Sequence, residues 1–80
     1  MIYPREIRAG RALLGWGQIE LAKAATVGVA TVRRLEASGD EVRGSVETLL
    51  KIQRALEEAG IEFIPAEGGK GPGVRLRQAR

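Results

Sequence analysis

The sequence predicts a mostly α fold: four helices, with the second and third closely coupled, followed by a short C-terminal β-hairpin or pair of strands. Three observations predict it. Apolar residues recur at helical spacing in four successive blocks. Glycine- and serine-containing breaks separate those blocks. After Gly60 the period changes from helical to alternating. On this reading residues 1–60 form the helical domain and residues 61–80 a β extension.

Each element has its own local reason. Pro4 suits the first turn of a helix, where its missing N–H costs nothing. Ile7, Arg11 and Leu14 then share one face, with Gly10 beside them, and Gly15 and Gly17 flank Trp16 to end that helix. A short second helix is predicted from Gln18 to about Ala24, with Leu21, Ala22 and Ala25 facing the core. Thr26 and Val27 form a turn. The third helix runs from Gly28 to about Ala37, with Val32 and Leu35 inward, and Ser38-Gly39-Asp40 stops it. Ser45 is a good N-cap for the fourth helix, and Glu47 in its first turn suits the helix dipole. Val46, Leu49, Leu50, Gln53 and Leu56 make its predicted apolar stripe, and Gly60 is placed for a left-handed cap. Ile61–Ile64 and Val74–Arg77 read as strands joined by the glycine-rich connection from Pro65 to Gly73.

Composition narrows the function classes. Eighty residues make one small domain with a thin margin of stability. There is no cysteine to form a disulfide or a thiolate metal site, and no histidine to serve as metal ligand or general base. No carboxylate pair has the look of a catalytic dyad, so the expectation is a non-enzyme without cofactor or metal. The formal charge of +3 is compatible with an acidic partner but does not require one. No apolar stretch is long enough to span a membrane and no signal-peptide core is present, so a cytoplasmic protein with no membrane partner is expected.

Helices two and three carry the functional signal. Two helices that cross steeply through a short turn must approach closely, which calls for a small residue at the crossing, and Ala22 is there. The turn needs an apolar plug, and Val27 is there. The third helix needs branched apolar residues on its inner side alone, and Val32 and Leu35 supply them, leaving Val29, Ala30, Arg33 and Arg34 outside. At Gln18-Ile19-Glu20-Leu21-Ala22, Val27 and Thr31-Val32-Arg33-Arg34-Leu35-Glu36 the chain resembles the phage repressor and Cro group, the XRE family of helix-turn-helix proteins. The resemblance covers roughly residues 7–56.

That resemblance implies a transcriptional regulator, a repressor by preference, that binds double-stranded DNA as a homodimer with its third helix in the major groove. It implies base-facing roles for Val29, Ala30 and Arg33, and phosphate contacts from Gln18, Gly28, Thr31, Arg34 and Arg43. It also implies that Arg11 and Glu36 pair and tie the first helix to the third. The competing reading of that pair leaves both side chains in solvent at the rim. Two departures stand out. The turn position that is usually glycine is Thr26, so strain or a reshaped turn is expected. The recognition helix opens on Gly28, Val29 and Ala30, which offer thymine methyl contacts but no side-chain hydrogen bonds.

Several tempting features have plainer readings. Arg33-Arg34 alone would be a solvated helix face. Trp16 reads as a core or dimer-packing residue, with no second aromatic near it for base stacking. Gly68 to Gly73 lacks the order of a phosphate loop and no helix follows it, so a hairpin tip is expected. Ile61, Phe63, Val74 and Leu76 need cover, and pairing through residues 61–77 in a two-fold dimer would complete it. The alternative function is an antitoxin-like module that neutralises a partner toxin. With no room for a separate sensing domain, regulation by concentration or a protein partner is expected before regulation by a small molecule.

Overall fold

A computed structural model describes residues 2–39 and 44–79. Four helices precede two strands: α1 (Pro4–Leu14), α2 (Gln18–Ala25), α3 (Val29–Glu36), α4 (Val46–Glu58), β1 (Ile61–Ile64) and β2 (Gly73–Leu76). The predicted order and class hold, with β2 beginning one residue early and α3 beginning after Gly28, which is its N-cap. No described helix is long and apolar enough to cross a membrane.

The core lies where all four helices and β1 converge. Ile7, Leu21, Val32, Leu35, Ile52, Leu56 and Ile61 are its most deeply buried side chains. Pro4 opens α1, and the Glu6 carboxylate turns back to accept the Tyr3 N–H at 2.9 Å, satisfying an amide that helix geometry leaves orphaned. Gly10 is buried where α1 crosses α4. A Cβ there would touch both Leu56 methyls at 3.4 Å, so the small residue sets the approach of the two helices. Ser45 caps α4 by accepting the Thr48 N–H at 3.1 Å.

One face differs from expectation. On α4 the buried residues are Leu49, Ile52, Ala55 and Leu56, while Val46 and Leu50 stand out in solvent and Gln53 is half-buried. The predicted stripe was rotated by part of a turn. Leu49 and Leu56 lie on both faces' shared edge, so the local pattern could not choose between the two. Packing on α2 and β1 chooses the Ile52 side.

The hairpin belongs to the same core. β1 and β2 pair antiparallel with Ile61 opposite Leu76 and Phe63 opposite Val74, and this inner face packs on α1 and α4. Glu62 and Arg75 face each other on the outside at 2.8 Å. Beyond the ladder, Gly68 and Gly69 take φ values of 61° and 78°, the left-handed pair of a two-residue hairpin turn, closed by a bridge between Glu67 and Lys70. Pro65 and Pro72 stand opposite one another in continuing register and interrupt the ladder, since neither has an N–H to give.

Candidate nucleic-acid interface

The α2–α3 unit is set by how each helix starts and stops. Gly17 precedes α2, and its N–H donates to the Glu20 carboxylate at 3.0 Å. A Cβ on Gly17 would lie 2.7 Å from that carboxylate oxygen, so the end of the Glu20 side chain would have to shift to keep this closure with any other residue. At the far end Thr26 adopts φ 58° and ψ 47°, a left-handed conformation. The Val27 N–H then reaches the Ala22 carbonyl at 3.0 Å and the Thr26 N–H reaches Lys23 at 3.3 Å, the paired closure of a Schellman turn. α1 ends the same way with Gly15 at φ 70°, where the left-handed backbone costs nothing. The turn before α3 is therefore strained and not reshaped, and it drops Val27 onto the core as the sequence predicted.

Three helices meet at one carboxylate. Arg11 donates from Nε to Glu36 Oε2 at 2.7 Å and from Nη2 to Oε1 at 2.6 Å, a bidentate pair. Its third nitrogen, Nη1, donates to the Trp16 carbonyl at 3.0 Å. The Gln18 carboxamide, opening α2, donates to Glu36 Oε1 at 3.1 Å, and Arg8 donates to the Glu36 main-chain carbonyl. Glu36 is only 5% exposed. The hydrogen bond to Glu36 holds the Arg11 guanidinium above its ordinary value; burial opposes this, and the charges of Glu36 and Glu20 add to it. The rim reading of this pair does not hold, since Glu36 is buried and fully coordinated.

The predicted site residues then separate. Ala30, Arg33, Arg34 and Ala37 are exposed and share one face of α3, since they are spaced at three and four residues. Arg33 and Arg34 are the long side chains of that face. Val29, expected to face bases, is half-buried and packs on the core, because one turn of helix carries it toward Val32. Thr31 is half-buried, and Gly28 is exposed with its carbonyl taken by the Thr31 and Val32 amides at 3.1 and 3.3 Å. Gln18 lies at the start of α2, but its carboxamide is committed to Glu36, which leaves its main-chain N–H for any anion. Arg43 lies outside the described residues.

Two residues of this region escaped sequence reasoning. Arg8 holds the last carbonyl of α3, and its position one turn before Arg11 was the available signal. The inward use of Gln18 had no local signal, because it depends on where α3 ends. Compared with known proteins, the chain matches no family model and no curated sequence.

Proposed function

We propose that this protein is a sequence-specific, double-stranded DNA-binding transcriptional regulator, acting as a cytoplasmic repressor with α3 in the major groove. The observation that carries the reading is the clamp behind α3. Arg11, Arg8 and Gln18 fix its C-terminal end through Glu36, while Arg33 and Arg34 stand free of the core on the opposite, otherwise small-residue face. A recognition helix needs that rigidity behind and those donors in front. Arg33 reads a guanine, Ala30 lies against a thymine methyl, and Arg34, Thr31 and the amides of Gly28 and Gln18 meet phosphates. Arg43 adds a further phosphate contact. The proposed protein is a two-fold homodimer through residues 61–77. Ile61 is buried and Phe63, Val74 and Leu76 are half-buried against the helical core, so the proposed pairing surface is the free main-chain edge of the two-stranded sheet.

The test is binding of the wild type and single variants to a site selected from genomic fragments, at two salt concentrations. Arg33→Ala is expected to cost about 1–3 kcal/mol on the selected site and to relax preference at one base pair per half-site. Arg34→Ala is expected to weaken all sequences alike and to flatten the salt dependence by about one counterion. Unchanged affinity in both variants, with the fold intact, would remove the DNA reading. The second reading is an antitoxin-like module for a partner toxin. It is favoured by Val46 and Leu50, apolar, one turn apart on α4 and exposed.

A further inference from the structure

The first two turns of α1 and the returning arm of the hairpin enclose a cleft of about 600 Å³, whose lining includes neither Arg8 nor Arg11 of the clamp. Tyr3, Glu6 and Ala9 form one wall, and Pro72 and Val74 form the other. A smaller hollow of about 330 Å³, reaching to Phe63 and Pro65, shares Tyr3, Glu6 and Pro72 with it. The size is that of a small-molecule site, and the lining is mostly apolar. Its polar floor is a single carboxylate. Glu6 is 7% exposed, yet it lines both hollows and accepts the Tyr3 N–H at 2.9 Å through one oxygen. An ionised carboxylate offers about four acceptor positions, so that one bond leaves most of its capacity to a second donor. Arg5, the other charged residue of the lining, is engaged in an interaction of its own.

We propose that this cleft binds a small aromatic amine, its protonated nitrogen on the Glu6 carboxylate and its ring between Tyr3, Pro72 and Val74. The charge of Glu6 selects a cation, burial strengthens the pairing, and the Tyr3 ring adds a face that cations favour. An uncharged or anionic molecule of the same shape gains none of these. The site is contained in the hairpin–α1 junction, so ligand recognition needs no separate sensing domain. The inference rests on the cleft alone and stands or falls apart from DNA binding.

Titration of the full chain with tryptamine, followed by amide chemical shifts, tests it, with indole-3-propionate as the same ring bearing the opposite charge. Tryptamine is expected to give saturable shifts centred on Tyr3, Glu6 and Val74, and to bind about tenfold or more tightly than the carboxylate. Glu6→Gln keeps an acceptor for the Tyr3 N–H and removes the charge; Ala9→Leu keeps the charge and fills the cleft. Each is expected to weaken tryptamine about tenfold or more. Ala9→Leu replaces one strong helix former with another at an exposed position, so it reports even if Glu6→Gln unfolds. Shifts that do not saturate, equal affinity for the two indoles, or unchanged tryptamine affinity in Ala9→Leu would each overturn the proposal.

Discussion

The helical part and the hairpin each carry one arginine–glutamate pair at nearly the same distance, 2.6 Å for Arg11 with Glu36 and 2.8 Å for Arg75 with Glu62. Their surroundings differ completely. Glu36 is 5% exposed, receives two nitrogens from Arg11 and a third from Gln18, and holds three helices at one point. Glu62 receives one nitrogen from Arg75 on the outer face of a two-stranded sheet, and water competes for both partners. The same two residue types thus form a structural joint in one place and a solvated contact in the other. Burial and coordination decide which, and distance does not.

The largest expected effect comes from breaking the joint. Arg11→Met leaves a buried carboxylate with only Gln18 on its side chain, and Glu36→Leu leaves Arg11 and Gln18 against an apolar group while Arg8 keeps its main-chain acceptor. Each single change is expected to cost about 3–5 kcal/mol in chemical denaturation. The double variant is expected to recover much of that loss, because neither charge is then stranded. Single costs near those of an exposed pair, about 0–1 kcal/mol, would make the two pairs alike and end the comparison.

Next in size are the two left-handed helix ends, which have the same hydrogen-bond closure and different residues. Gly15→Ala is expected to destabilise by about 1–2 kcal/mol, since an added Cβ meets no neighbour and the whole cost is the positive φ. Thr26→Gly is expected to stabilise by about 0.5–1 kcal/mol, as relief of backbone strain outweighs the entropy that glycine adds to the unfolded chain. Thermal and urea denaturation of both variants measure the sign. A loss of stability in Thr26→Gly would mean that the threonine makes compensating contacts at the turn.

The smallest effect belongs to the exposed pair. The hydrogen bond from Arg75, with its charge and that of Arg77, holds the Glu62 carboxyl below the ordinary glutamate range. A carboxylate lowered in the folded state contributes stability that is present above its unfolded value and is lost as pH falls through the folded one. Glu62→Gln is therefore expected to lower Tm slightly at neutral pH and low salt, and not at all once the carboxyl of the wild type is protonated. Because both groups are solvated, moderate salt should erase the difference. A large, salt-insensitive loss would show that the outer face of the hairpin is covered in solution, a contact beyond the edge pairing of the proposed dimer.

The sequence by itself determined the element order, the caps and the small residues at close approaches. Pro4, Ser45, Gly15 and Gly60 act through their own backbone chemistry, which neighbours in space do not alter. It also determined the inward residues of α2, and Val32 and Leu35 of α3, because a short amphipathic helix buries the side where its largest apolar residues recur. The tertiary structure decided the rest. α4 has enough apolar residues for two faces, and contact with α2 and β1 selected Ile52 over Leu50. Val29 looked outward by spacing, but the close seating of α3 on the core took it out of the open face. Gln18 looked free until the end of α3 arrived beside it and supplied an acceptor. In each case the residue's own chemistry allowed two environments, and only a partner distant in sequence, brought near by packing, could choose between them.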